Sequence, residues 1–285
     1  MTKRICAGFL STVILFIGSN GLSYAAYAWQ RIEIGAGVSA IEAIDVDHKN
    51  PNVVYVGSKQ SLYKTTDGAR NWQALNAGLS GAVNFLYIDH EEQGSVYAAA
   101  QNGLFHTRDS GASWQRIFSG KDALERNVLS VKVCYQPPKT VFIGTERGIF
   151  FSPVNRIIWQ KAAGKLSDAA VTSIVNDDHN SDVLYIVSNK GLFRTSNRMS
   201  SYERIYAVSI AESEESGADV DSEEEEVYSQ EHPLSHLAID ERGSLYLGSA
   251  GGLLFSSGAG DGGWEKKIFS GLLDEKINYI TIYKA

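Results

Sequence analysis

The sequence predicts an all-β protein, a β-propeller of about five complete four-stranded blades plus a partial closing blade. Three observations lead there. Large aromatics recur at one period: Trp29, Trp72, Trp114, Trp159 and Trp264, with Tyr202 standing in once, at spacings of 43, 42, 45, 43 and 62 residues. Between them lie short runs of period-two alternation bounded by Gly, Asn and Asp turns, which read as strands. No stretch carries the 3.6-residue amphipathic period that a helical repeat needs. Four short strands per ~43 residues make a propeller blade, and blades must stack around an axis to bury their faces.

Each repeat opens with an apolar-alternating strand, copied at residues 41–47, 83–89, 128–134, 171–177, 234–240 and 277–283. A polar turn follows, as in Asp47-His48-Lys49-Asn50-Pro51. The second strand is β-branched and aromatic, at 53–58, 95–100, 141–145, 183–188 and 245–249. The third is short, as at 103–107, and the fourth starts at the aromatic, as at 114–118. Five complete units result. An extra fourth strand precedes them at 29–34, and an extra first strand follows at 277–283. Those two ends belong to one incomplete blade, so the chain encodes five blades plus a thin sixth, or a truncated ring.

Between the third and fourth strands sits a recurring octet. Thr107-Arg108-Asp109-Ser110-Gly111-Ala112-Ser113-Trp114 fits S/T-x-D-x-G-x-S/T-W completely. The copy at 65–72 keeps the hydroxyl, Asp67 and Trp72. The others have decayed: 152–159 keeps its ends, 195–202 has Asn197 for Asp and Tyr202 for Trp, and 256–264 carries one extra residue.

These residues resemble the Asp-box, or BNR, repeat of sialidases, xyloglucan-degrading hydrolases, sortilin-type receptors and photosystem II assembly factor-like proteins. The resemblance spans nearly the whole chain after residue 28. It implies the fold and not one function, because such propellers serve unrelated activities. The motif's chemistry is that of a turn. An Asp side chain accepts backbone N–H bonds in a tight hairpin, Gly takes positive φ, and Trp buries a large area between blades. Asp67, Trp72, Asp109, Gly111, Trp114, Trp159 and Trp264 are therefore expected to be structural. The resemblance implies that the turns lie on the outer rim, away from the channel. No catalytic, cofactor-binding or metal-binding residue is assigned.

The start of the chain has a different composition. Lys3 and Arg4 precede an apolar run at 5–17, and Ala26-Tyr27-Ala28 precedes Trp29. This is the pattern of a secretory signal peptide over 1–28, and it predicts an exported protein, periplasmic or extracellular. The run is shorter than the ~20 residues of a spanning helix. No other stretch is apolar enough, so no integral membrane segment is expected after signal removal. Cys134 is then the one cysteine, which excludes reliance on an internal disulfide and reads as a small core residue. The long fifth spacing comes from 211–233, with ten acids and no Lys or Arg. Without those acids the net charge changes from −7 to +3, so the acidity is local. The segment reads as a disordered, solvated insertion. Loose Ca²⁺ binding or docking to a basic partner is the alternative, although the spacing does not match an ordered Ca²⁺ loop.

Nothing in the sequence singles out a catalytic centre. A sialidase-like site needs a Phe/Tyr-Arg-Ile-Pro tetrapeptide, which is absent, and Arg31, Arg70, Arg116, Arg147 and Arg194 fall mostly on outer strands or turns. The xyloglucan hydrolases use a cleft between two propellers. Asp47-His48, Asp89-His90 and Asp178-His179 recur, as common descent of the repeats requires, and they carry no zinc spacing. The glycine-rich run at 258–263 lacks the phosphate-loop Lys, and no basic stripe suggests nucleic acid. The expected function is an exported scaffold or assembly factor binding a protein or peptide, like the photosystem II assembly factor-like branch. The alternative is a carbohydrate-active enzyme or glycan-binding propeller.

Overall fold

The computed structural model describes residues 32–34, 38, 40–75, 78–177, 180, 182–207, 233–261, 263–267, 277 and 280. The expected signal peptide, Trp29, His179 and all of the acidic insertion but Pro233 lie outside them. Residues 32–34 are described and are not in a strand.

Among the described residues, twenty strands form five four-stranded antiparallel sheets, each in simple chain order. The protein is a β-propeller. The first blade is β1 (Ile41–Val46), β2 (Val54–Ser58), β3 (Leu62–Thr65) and β4 (Gln73–Leu75). The second is β5 (Val83–Ile88), β6 (Val96–Ala100), β7 (Gly103–Thr107) and β8 (Gln115–Phe118). The third is β9 (Val128–Cys134), β10 (Thr140–Thr145), β11 (Gly148–Pro153) and β12 (Gln160–Lys161). The fourth is β13 (Val171–Asn176), β14 (Leu184–Ser188), β15 (Gly191–Thr195) and β16 (Glu203–Tyr206). The fifth is β17 (Leu234–Ile239), β18 (Leu245–Ser249), β19 (Gly252–Ser256) and β20 (Glu265–Lys267).

Boundaries differ from the sequence reading by a residue, for local reasons. Most first strands stop before the Asp that was read as their last residue. Asp47, Asp89 and Asp240 instead accept the N–H of the residue two further on, each opening a turn. Fourth strands begin one residue after the aromatic, not at it. Two helical turns between blades were not anticipated. They are α1 (Ala123–Arg126), whose first N–H groups are capped by Asp122, and a 3₁₀ turn at Gly164–Leu166.

The core lies between blades. One apolar cluster joins each neighbouring pair of blades, and a fifth joins the last blade to Ile277 and Ile280. First strands of successive blades pack on one another around the axis. Every one of these strands carries a bulge near its start. The bulge shifts the strand's parity, so its first and fourth residues share a buried flank. Val83 and Leu86, Val128 and Val131, Val171 and Ile174, and Leu234 and Leu237 are all buried this way. Ile277 and Ile280 repeat the spacing and are buried against the fifth blade. On β1 the same flank is open, with Ile44 39% and Val46 37% exposed.

Close approach at these joints explains three glycines. A Cβ on Gly57 would lie 2.5 Å from the Val83 side chain, one on Gly144 would lie 2.4 Å from the Val171 carbonyl, and one on Gly248 would lie 2.9 Å from Ile277. Polar side chains also bridge joints. Asn84 donates to the Val128 carbonyl at 2.7 Å, Ser130 to that of Val171 at 3.3 Å, and Ser235 to that of Ile277.

Candidate functional site

The structure places the motif residues apart from one another, each at the turn into a fourth strand or just after it. In the second blade, Thr107 donates to Asp109 Oδ1 at 2.7 Å, and Gly111 N–H donates back to Thr107 Oγ1 at 2.9 Å. Asp109 also accepts from the N–H of Ser113 at 2.8 Å and from its hydroxyl at 2.5 Å. Asp67 is held alike by Thr65, Arg70 and Asn71. Bonds from Asn71 to Asp67, and from Ser113 to Asp109, hold both carboxyls below the ordinary carboxylate range. Gly111 takes φ 95°, where the turn needs it. Asn197, where the motif has decayed, keeps the pattern: Thr195 donates to it at 3.0 Å and Ser201 N–H at 2.8 Å.

The aromatics reach across joints. Trp159 Nε1 donates to the Ile117 carbonyl at 2.7 Å and Trp264 Nε1 to that of Ile205 at 3.3 Å. Tyr202 donates to Ala163 at 2.5 Å, again on the preceding blade. Trp114 packs with Leu75 in the cluster between the first two blades. The indole nitrogens of Trp72 and Trp114 are buried with no hydrogen-bond partner among the described residues. The Asp, Asn and hydroxyl groups of the motif are thus bonded within their own turns.

A second set of residues converges where the sequence reading named none. A cavity of about 280 Å³ lies inside the ring of first strands, with wall residues from all five blades and Ile280. The fifth residue of each first strand lines it: Asp45, Tyr87, Lys132, Val175 and Ala238. One side of the wall is thus polar and the other apolar. The cavity reaches His48, His90, Asp240 and Glu241, so it opens on the face formed by the first-to-second strand turns.

Asp45 bridges the first two blades there. Its Oδ2 accepts the Ile88 N–H at 2.7 Å and its Oδ1 that of Val46 at 2.9 Å. Burial pushes its carboxyl up to about 7, against these two bonds and the nearby Lys132 charge. His48 and His90, read in the sequence only as products of common descent, meet edge to face with ring centroids 4.5 Å apart. Burial lowers the His90 pKa, so the ring is neutral at neutral pH. Its main-chain N–H donates to Tyr135 Oη at 3.0 Å, and Tyr135 in turn lies 3.0 Å from the Tyr87 hydroxyl. The Lys132 ammonium lies 5.5 Å from the centre of the Tyr87 ring. Below the rim, Lys139 pairs with buried Asp89 at 2.8 Å. Among the described residues, no three His, Cys, Asp or Glu come together as a metal-binding group. No helix among them is long and apolar enough to cross a membrane.

Comparisons with known proteins bear on this geometry. Residues 23–208 match the family described as photosynthesis system II assembly factor YCF48. No curated protein sequence matches the chain. Among solved structures, an ancestral GH74 enzyme aligns with TM-score 0.62 at 19% identity, over 85% of this chain and 33% of that one. The chain thus spans about a third of the length of that enzyme. YCF48 from Cyanidioschyzon merolae aligns with TM-score 0.52 at 12% identity, over 85% of this chain and 88% of that one. A structure of YCF48 bound to D1 peptide aligns with TM-score 0.51 at 15% identity, over 80% of this chain and 67% of that one. At these identities the likeness is one of fold.

Proposed function

The chain belongs to the photosynthesis system II assembly factor YCF48 family, and from that membership we propose that it is an exported protein-binding propeller that holds a peptide segment of a partner at the channel mouth. The observation that carries the reading is the cavity itself. It gathers Asp45, Tyr87, Lys132, Val175 and Ala238, which share one register position and differ in chemistry from blade to blade, and it faces out between turns. Its about 280 Å³ falls just below the roughly 300–1,000 Å³ of pockets that enclose whole small ligands. That volume suits one side chain of a longer segment lying across the face. The likeness to YCF48 bound to D1 peptide supports a peptide partner. The basic, apolar and small-residue pattern of residues 1–28 supports export.

The GH74 likeness and the raised Asp45 carboxyl favour one rival reading, a glycoside hydrolase with Asp45 as acid. Against it, the cavity is too small for a polysaccharide chain.

The test is site-specific photo-crosslinking in the source cells. A photoreactive residue replaces Lys49, on the mouth face, or Lys59, at a second-to-third strand turn on the opposite face. The expected result is one discrete protein adduct from position 49 and none from 59. Adducts from neither position, or from 59 alone, would overturn it. So would xyloglucan hydrolysis by the purified protein that Asp45→Asn abolishes.

A further inference from the structure

We propose that the channel mouth is a receptor for a cationic side chain, with a guanidinium or ammonium group of the bound segment seated against the Asp45 carboxyl. The inference rests on the peptide-binding reading and names what the peptide must bring.

Three features of the cavity point to a cation. First, its charge is unbalanced: Asp45, Asp240 and Glu241 line it against one ammonium, that of Lys132. Second, Asp45 has receiving capacity left. Each oxygen accepts one backbone N–H, and a carboxylate oxygen carries two lone pairs. A planar guanidinium can engage both oxygens at once. Third, the wall beside Asp45 is aromatic. The His48 and His90 rings stand edge to face next to Tyr87, and a guanidinium stacks well on such faces. Burial strongly disfavours the charge on Asp45, and a cation beside it restores that charge. An acidic side chain would meet three carboxyls, and an apolar one would leave the second lone pairs of the Asp45 carboxyl unused.

Binding must then depend on pH. The titratable and charged groups around Asp45 are Asp47 on its own turn, Tyr87 on β5 and Lys132 on β9, and His48, His90, His236, Asp240 and Glu241 line the same cavity. Asp45 takes up a proton as pH falls through about 7, so cation binding weakens on the acid side. Protonation of His90 at lower pH acts in the same direction.

The experiment uses the full chain and three otherwise identical, end-blocked nonapeptides with arginine, lysine or neutral citrulline at the centre, titrated calorimetrically at pH 8 and pH 6. The arginine peptide is expected to bind about tenfold more tightly than its citrulline twin at pH 8, and to lose most of that advantage at pH 6. Asp45→Asn should reduce arginine binding to the citrulline level. Glu241→Gln, on the exposed lip, should weaken it about threefold, and it decides the matter if Asp45→Asn does not fold. Lysine binding as tightly as arginine would assign the site to any cation and argue against stacking on the histidines. Equal affinities for arginine and citrulline, or no binding at millimolar peptide, would overturn the proposal. If crosslinking from position 49 still succeeds, that failure removes the cationic side chain alone. If crosslinking fails too, the peptide-binding reading falls with it.

Discussion

The indole of Trp159 donates its N–H to the main-chain carbonyl of Ile117, 2.7 Å away on the preceding blade. The ring also meets Phe118 at a centroid distance of 5.0 Å. One side chain thus supplies a polar and an apolar contact across one joint. Trp159→Phe keeps most of the ring contact and leaves the carbonyl without this donor, at a cost of about 1–2 kcal/mol. Trp159→Ala removes both, at about 3–5 kcal/mol. Urea unfolding of the two variants separates the contributions: no loss in Trp159→Phe would show that the hydrogen bond contributes nothing, and equal losses in both would show that the ring contact contributes nothing.

The Asp boxes are expected to act on stability alone. Asp109→Ala frees the N–H of Ser113 and both hydroxyl partners, and should lower the melting temperature by several degrees. Asn197→Asp should leave it nearly unchanged, because Asp at that position can accept the same bonds. The two thermal melts settle this together. Asp67 and Asp109 titrate below their unfolded values, so their contribution is complete above about pH 4 and is lost as pH falls further.

Gly144→Ala tests the joints. Its Cβ would meet the Val171 carbonyl at 2.4 Å, a backbone atom that cannot swing aside. A loss of about 1–3 kcal/mol is expected, measured by denaturant titration. Ala99 occupies the matching position on β6, so Ala99→Gly should cost far less.

Asp45 gives stability a pH dependence of unusual sign. Its folded-state pKa is raised to about 7, so the folded chain holds a proton that the unfolded chain releases near 4. Its contribution is complete below about pH 4 and falls away as pH rises to about 7. His106 and His236, whose pKa values burial lowers to about 4, act oppositely and lose stability as pH falls from about 6.5. The difference between wild type and Asp45→Asn isolates the carboxyl. The variant should gain on the wild type steadily from pH 4 to pH 7 in thermal melts, and a constant difference would refute the shift.

Much of the fold was legible because the repeat writes itself in large aromatics and hydroxyl-Asp turns, which change slowly where geometry constrains them. Trp72, Trp114, Trp159 and Trp264 marked the outer strands to within a residue. The channel wall was not legible. Asp45, Tyr87, Lys132, Val175 and Ala238 share a register position and no chemistry, so no motif connects them. The bulge near the start of each first strand also breaks the period-two pattern before the wall residues are reached. His48 and His90 were visible as a recurrence, but two equivalent positions on neighbouring blades touch only once the inner strands pack.

The open flank of β1 makes the ring's cohesion uneven. Stability in a stacked array is roughly the sum of its nearest-neighbour joints. The later first strands are covered on the side where Ile44 and Val46 stand exposed. The molecule should therefore breathe from one side. Amide protons of the first blade should exchange through excursions that leave the third and fourth blades shut, and a protease should find its first cut there. Asp45 is attached to that looser blade while its acceptor role reaches Ile88 in a firmer one, so the channel mouth straddles a boundary between two degrees of rigidity.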